Sequence, residues 1–149
     1  MRSKPTEMYR SKAEKALADW FSQKKIKFDY EKFQYHYTTR VPSGICDSCG
    51  HNKVSQGHWY LLDFWLPEYK FGIELKGRLS GRDRVKMEAV KKENPKEDIR
   101  LLFLSDNKIH PSSDKRYSAW ANETGYKFAI KQIPEDWIKY AYPLNAHRS

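Results

Sequence analysis

Long apolar runs are missing from this chain of 149 residues. The longest are short segments such as LLFL at 101–104, whereas a membrane-spanning helix needs about 20 apolar residues. The first residues, MRSKPTEMYRSK, are polar where a secretory signal needs an apolar stretch. Both absences argue against membrane insertion and secretion, and they predict a cytoplasmic protein.

Negative charge is also scarce, because 19 Asp and Glu residues face 28 Lys and Arg residues and give a formal net charge of +9. Such an excess favours polyanionic partners, and nucleic acid is the first candidate. The length is usual for one domain with one apolar core. We therefore predict a single domain over 1–149 that binds nucleic acid.

The hydrophobic pattern predicts alternating helices and strands. Helices are expected near 5–24, 81–93 and 115–124, with a final helical turn from 134, and strands near 26–41, 59–66, 70–76, 98–105 and 126–130. A polar, Cys-containing insertion occupies about 42–58. This order is typical of an α/β domain in which helices flank a mixed β-sheet.

Charged residues interrupt the two apolar strands within LLDFWLPEYKFGIELKG, residues 61–77. Alternation along the second strand places Glu74 and Lys76 on one face. If the strand carrying Asp63 pairs with it, two carboxylates and one lysine form a cluster at the edge of the core. Carboxylates that repel each other in a partly dry site are favourable ligands for a hard divalent cation.

Such a cluster suits phosphodiester hydrolysis on DNA. A bound metal can polarise the scissile phosphate and activate a water, while the lysine offsets developing negative charge. Aspartate followed by Glu-x-Lys across a strand pair is the PD-(D/E)xK nuclease motif, but so short a motif also occurs by chance. The alternative is a surface strand face that carries an ion pair.

Several blocks of the sequence extend this motif. KAEKALADWFSQKKIKFDYE, LLDFWLPEYKFGIELKG, DR at 83–84, ENPKEDIRLLFLS and IPEDWIK follow one another in an order and spacing that resemble the phage endonuclease I family of Holliday-junction resolvases. The resemblance covers nearly the whole chain outside the Cys-containing insertion. It implies a restriction-endonuclease-like fold and a domain-swapped homodimer.

The resemblance also implies the roles of particular residues. Glu14, Asp63, Glu74 and Lys76 match the catalytic set of the family. By analogy, Asp63, Glu74 and the carbonyl of Leu75 hold one Mg²⁺ or Mn²⁺ ion, and Glu14 helps to hold a second. The implied activity is metal-dependent cleavage of four-way junctions and other branched DNA, in the host cytoplasm if a phage encodes the chain.

Glu14 has a second interpretation, because SKAE at 11–14 fits a capping box in which Ser11 caps the first helix. The domain swap adds another expectation. Since the first helix of one subunit would complete the domain of its partner, Glu14 would act with the partner's carboxylates, and the strand after Phe28 would form the bridge between the subunits.

A basic segment follows the Glu-x-Lys strand. Its residues are candidates for contacts with the DNA backbone, which position DNA without reading its sequence; they are Arg78, Arg82, Arg84 and Lys86. The alternative is a solvated helix face.

Two features depart from the family. Leu62 stands before the aspartate where proline is usual, so we expect a local change of backbone. The insertion carries Cys46 and Cys49, spaced like one knuckle of a zinc ribbon, with His51, His58 and His36 as further candidate ligands or a second chain supplying them. Free thiols or a redox pair are the alternatives.

Two other functions remain open from the sequence. One is a sequence-specific endonuclease of the same superfamily. The other is a non-catalytic, zinc-stabilised module that binds nucleic acid, in which Asp63, Glu74 and Lys76 form an ion-pair network.

The zinc hypothesis is testable by elemental analysis. Two thiolates at this spacing share a tetrahedral ion, so protein purified after expression in zinc-replete medium should retain zinc, and Cys46→Ser with Cys49→Ser should lose it. Protein without zinc from the same medium would eliminate the hypothesis.

Overall fold

The computed structural model describes residues 8–42 and 53–140. Three helices are present in this part of the chain: α1 (Lys12–Gln23), α2 (Gly81–Glu93) and α3 (Tyr117–Thr124). A 3₁₀ helix spans Glu135–Ile138. The strands are β1 (Asp29–Tyr30), β2 (Gln34–Pro42), β3 (Lys53–Leu61), β4 (Phe64–Leu66), β5 (Phe71–Lys76), β6 (Ile99–Phe103) and β7 (Phe128–Ile130). No helix in these ranges is long and apolar enough to cross a membrane.

Five strands form a mixed sheet in the order β1-β4-β5-β6-β7. The first three pair antiparallel, while β5, β6 and β7 run parallel. Parallel neighbours need a crossover connection, and α2 and α3 supply the two crossovers. The strands β2 and β3 form a separate antiparallel hairpin. The predicted α/β fold with a mixed sheet and flanking helices is therefore confirmed.

Each face of the sheet carries its own apolar cluster. On one face α1 contributes Leu17 and Phe21, which pack with Phe64 and Phe71 of the sheet. The cluster on the other face joins α2, α3 and the β2–β3 hairpin; among its members are Met87, Val90, Trp120, Tyr37 and Tyr60. Both faces are thus covered, as the parallel half of a sheet requires.

The side chains of strand β5 point alternately to the two faces of the sheet. Phe71 and Ile73 belong to the cluster on the α1 face. Glu74 and Lys76 extend from the strand toward the opposite side, where Glu74 meets Tyr60 of β3 and Lys76 meets Asp83 of α2. The predicted alternation along β5 is confirmed. The alternation places these two charged side chains where the sheet, the hairpin and α2 meet.

Two predicted strands have different limits in the structure. The strand expected over 26–41 is divided into β1 and β2, because Glu31 has φ of 50°, a left-handed conformation outside the range of regular strands. The strand expected over 59–66 is also divided: β3 begins at Lys53, since nine residue pairs join it to β2, and ends at Leu61, while β4 begins at Phe64. Residues 53–58 of the predicted insertion therefore lie in β3, whereas Cys46, Cys49 and His51 lie outside the described residues.

Leu62 has a defined place just before Asp63. Its N–H donates to the carbonyl of Phe33 at 3.0 Å, a bond that proline cannot make. Its buried side chain lies over Gly72 of β5, where an added Cβ would come within 2.5 Å of Leu62 Cδ2. Leucine before the aspartate is thus accommodated by a glycine on the paired strand.

Candidate active site

Asp63 and Glu74 lie across the β4–β5 pair, as the sequence predicted. Asp63 directly precedes β4, whose first residue, Phe64, pairs with Ile73. Glu74 follows Ile73 on β5, so the two carboxylates face each other at the start of the pair. The N–H of Leu75 donates to Asp63 Oδ2 at 2.9 Å. Strand pairing therefore brings two acids and the backbone of Leu75 into one corner.

Both acids are buried, with 3% of Asp63 and 5% of Glu74 exposed. Burial and the negative charge of Glu74 raise the pKa of Asp63 to about 8, and Glu14 raises it further while Leu75 N–H and Lys76 oppose the shift. At neutral pH, Asp63 in the metal-free protein therefore carries a proton for most of the time. A cation placed between the acids would displace this proton.

A buried tyrosine fixes the second acid. Tyr60 of β3 donates its hydroxyl to Glu74 Oε1 at 2.6 Å. Burial and the adjacent Glu74 raise the pKa of Tyr60 well above its usual range, so the hydroxyl remains a proton donor. Because the ring is also fully packed, the hydrogen bond gives Glu74 a defined position.

Lys76 lies between two acids at the end of β5. Its Nζ is 3.4 Å from Glu74 Oε2 and 3.3 Å from Asp83 Oδ1, and 12% of its side chain is exposed. Burial alone would lower the pKa of Lys76, but the charges of Glu74 and Asp83 outweigh it and raise this pKa above its ordinary value. The lysine is therefore a fixed positive charge beside the carboxylate pair.

Glu14 reaches the same region from α1. Ser11 caps the helix by accepting the Glu14 N–H at 3.1 Å, which is one half of the expected capping box. The Glu14 carboxylate instead accepts from Arg10 N at 2.9 Å and from the Tyr30 hydroxyl at 2.6 Å. It is 7% exposed and close enough to Asp63 to raise that residue's pKa. The expected capping box is therefore only half formed, because the Glu14 carboxylate bonds Arg10 and Tyr30 rather than the Ser11 amide.

The acids do not form one compact ligand set. Within residues 8–42 and 53–140, no three His, Cys, Asp or Glu side chains lie together closely enough to hold a single metal ion. The first metal set expected from the resemblance has only two carboxylates, Asp63 and Glu74, together with the Leu75 carbonyl. The carboxylate of Glu14 accepts a hydrogen bond from Tyr30.

Comparison with known proteins shows the family to which the chain belongs. A family profile described as "Phage endonuclease I" matches residues 1–145. The chain belongs to the phage endonuclease I family. It is 33% identical over 132 residues to "Endonuclease I" of Escherichia phage T7, covering 88% of this chain and 78% of that protein. It is 35% identical over 132 residues to "Endodeoxyribonuclease 1" of Enterobacteria phage T3, covering 88% and 77%.

Family membership confirms the predicted DNA endonuclease activity. As a phage endonuclease I, the chain is a deoxyribonuclease, which sets aside the non-catalytic binding module. The acids and lysine of the β4–β5 corner therefore belong to an enzyme that cleaves DNA.

The basic residues predicted to contact DNA differ in their surroundings. Arg78 and Arg82 are exposed. Arg84 donates from one nitrogen to the carbonyls of Leu79 and Ile109, at 3.1 and 3.2 Å, so it ties the 109 loop to the start of α2. The Lys86 ammonium lies 5.5 Å from the Tyr60 ring centroid. Arg84 and Lys86 therefore have interactions within the fold as well.

The candidate zinc ligands are only partly described. His58 of β3 hydrogen-bonds Thr39 Oγ1 through Nε2 at 2.8 Å and stacks on Tyr37. His36 packs edge-on against Trp59. Cys46, Cys49 and His51 lie outside the described residues, so the zinc hypothesis stays a prediction.

Three functional neighbours were missed by sequence reasoning: Tyr30, Tyr60 and Asp83. The two tyrosines stand on strands rich in aromatic residues, and nothing local distinguishes them from core residues. Asp83 did carry a signal, because Ser80-x-x-Asp83 is a capping-box pattern at a predicted helix start. Its second contact, with Lys76, depends on how α2 docks.

The raised pKa of Asp63 predicts how stability depends on pH. An unfolded aspartate releases its proton near pH 4, whereas folded Asp63 retains its proton up to about pH 8. The metal-free protein should therefore become less stable to unfolding as pH rises from about 4 to about 8, because the folded state still binds a proton that the unfolded state has released. Asparagine does not titrate, so the melting temperature of Asp63→Asn should rise relative to that of the wild type as pH increases over this interval.

The exposed Asp19→Asn on α1 is the matched control and should show no such gain. Scanning calorimetry from pH 4 to pH 9 with a chelator present measures both. A constant difference between Asp63→Asn and wild type across the interval would contradict the raised pKa.

Proposed function

We propose that the chain is a metal-dependent, structure-selective endonuclease that resolves four-way DNA junctions and other branched DNA by phosphodiester hydrolysis. The observation that carries this proposal is the buried corner of Asp63, Glu74 and Lys76, with Glu14 reaching it from α1. Both named relatives are phage proteins. We place the activity in the cytoplasm of an infected host cell.

The donor set fits Mg²⁺ or Mn²⁺, two per active site. Asp63 and Glu74 offer hard oxygen ligands, and their mutual repulsion, evident in the raised pKa of Asp63, would be relieved by a divalent cation. Asp63, Glu74 and the carbonyl of Leu75 would hold one ion, and Glu14 would help to hold another. An ion held by these residues would supply Lewis-acid chemistry at the scissile phosphate and would ease deprotonation of the attacking water.

The protein's own groups complete the chemistry. Lys76 places a positive charge beside the carboxylates, where it can orient the attacking water or offset negative charge on the phosphate oxygens. Tyr60 and Tyr30 each hold one acid through a 2.6 Å hydrogen bond. This preorganisation reduces the rearrangement that must accompany hydrolysis.

The exposed basic residues at the start of α2 would bind the DNA backbone. Arg78 and Arg82 flank the site, and Arg84 and Lys86 add positive charge along the same helix turns. Contacts of this type fix the position of DNA without reading bases. They suit recognition of a branched shape better than recognition of a sequence.

Cleavage of two strands at a four-way junction calls for two active sites, which a homodimer provides. The strand after Phe28, which the structure divides into β1 and β2, would form the bridge between the subunits. Exchange of the segment before this bridge would preserve the packing of Leu17 and Phe21 on the sheet while joining Glu14 of one subunit to Asp63 of the other. We propose this swapped dimer as the active form.

The activity is tested on an end-labelled four-way junction and a matched linear duplex with Mg²⁺. The wild type should cleave the junction preferentially, and Glu74→Gln should reduce cleavage by about 100-fold or more, because it removes a charged ligand without changing side-chain shape. Glu135→Gln, an exposed change on the 3₁₀ helix, is the control and should retain activity.

Each other outcome has a defined meaning. Equal cleavage of both substrates would contradict branch selectivity and favour a sequence-directed enzyme of the same superfamily. Full activity of Glu74→Gln would contradict the metal site. Junction binding without cleavage, with Mg²⁺ and with Mn²⁺, would contradict the catalytic proposal.

The domain swap is tested by mixing two inactive variants. A heterodimer of Glu14→Ala and Asp63→Ala contains one intact site if Glu14 acts across subunits, and none if it acts within its own chain. Refolding the two variants together should therefore restore nicking of one junction strand, to roughly a quarter of wild-type sites if subunits pair at random. Activity no higher than that of either variant alone would rule out the exchange.

A further inference from the structure

Asp83, at the start of α2, makes contacts in two directions. Its Oδ2 accepts the Ser80 N–H at 3.0 Å, and its own N–H donates to Ser80 Oγ at 3.0 Å, which completes a capping box. Its Oδ1 lies 3.3 Å from Lys76 Nζ. A single carboxylate therefore both caps the start of α2 and faces the lysine of the active site.

Lys76 is consequently shared by two acids with different surroundings. Glu74 Oε2, at 3.4 Å, belongs to the carboxylate pair that would bind metal, whereas Asp83 stands on a helix outside that pair. If Glu74 binds a cation, its oxygen is no longer fully available to the ammonium. Asp83 is then the acid that keeps Lys76 in place.

We propose that Asp83 is a positioning residue that anchors the Lys76 ammonium beside the scissile phosphate while Glu74 is engaged by metal. The inference rests on the proposed nuclease function. Its mechanism is electrostatic: the Asp83 charge, held in place by the backbone N–H of Ser80, keeps the ammonium at one side of Glu74 and prevents it from competing for the metal ligands.

A negative charge in the first turn of α2 is favourable for the helix, but it is unfavourable for DNA binding. Asp83 lines a groove of about 450 Å³ between α2 and the β2–β3 hairpin, together with the basic residues Arg40, Arg82 and Lys86. A carboxylate there opposes the binding of DNA phosphates. Asparagine could cap the helix without this repulsion, so the aspartate is explained better by Lys76 than by the cap.

The two roles separate in Asp83→Asn, because asparagine keeps a side-chain oxygen for Ser80 N–H but loses the charge. Junction cleavage under single-turnover conditions with Mg²⁺ should slow by about 10-fold or more. Binding of the same junction without divalent metal, measured by fluorescence anisotropy, should be unchanged or tighter because a negative charge leaves the groove. Asp83→Glu should recover most of the cleavage rate.

Ser80→Ala is the matched control for helix capping. It removes the Ser80 hydroxyl and leaves the Asp83 charge, so the melting temperature should fall by about 2–4 °C while the cleavage rate stays within about twofold of wild type. Opposite responses of the two variants would distinguish positioning of Lys76 from support of α2.

The inference is overturned if Asp83→Asn cleaves at the wild-type rate, if it loses binding and cleavage together, or if Ser80→Ala loses as much cleavage as Asp83→Asn. All three results presuppose that the wild type cleaves the junction. Absence of wild-type cleavage in the same assay would instead contradict the proposed function, and this inference with it.

Discussion

The repulsion between Asp63 and Glu74 is the constraint around which this structure is arranged. Two acids that are almost fully buried would be very unfavourable without compensation. Three groups supply it: the Leu75 N–H bonds Asp63, the Tyr60 hydroxyl bonds Glu74, and Lys76 lies beside Glu74. The compensation is incomplete in the metal-free protein, since the pKa of Asp63 remains raised to about 8. A divalent cation bound between the two carboxylates would neutralise the repulsion that remains.

Each charged group of the site is held by a residue from another element. Tyr30 of β1 holds Glu14 of α1, Tyr60 of β3 holds Glu74 of β5, and Asp83 of α2 faces Lys76. The site geometry is therefore a property of the tertiary fold, and the two apolar clusters on either face of the sheet fix it. Packing and chemistry depend on the same strand pairing.

Sequence reasoning succeeded where the signal is local. Alternation along β5 is a property of six consecutive residues, and it placed Glu74 and Lys76 on one face correctly. A serine that can cap a helix at 80, and the Asn94-Pro95 pair that ends one, also located α2 to the residue. Sequence reasoning failed where the signal is not local: the left-handed Glu31 breaks a long strand pattern, and the tyrosine partners of the acids look like core residues until the strands pair. The same limit hid the contact between Asp83 and Lys76.

The phenol of Tyr60 makes the hairpin part of the active site. Its ring belongs to β3, which pairs along its whole length with β2, while its hydroxyl fixes the orientation of Glu74. A change in the position of the hairpin would therefore change the position of the Glu74 carboxylate. A DNA arm that displaced the hairpin would therefore move Glu74, one of the proposed metal ligands, through the Tyr60 side chain.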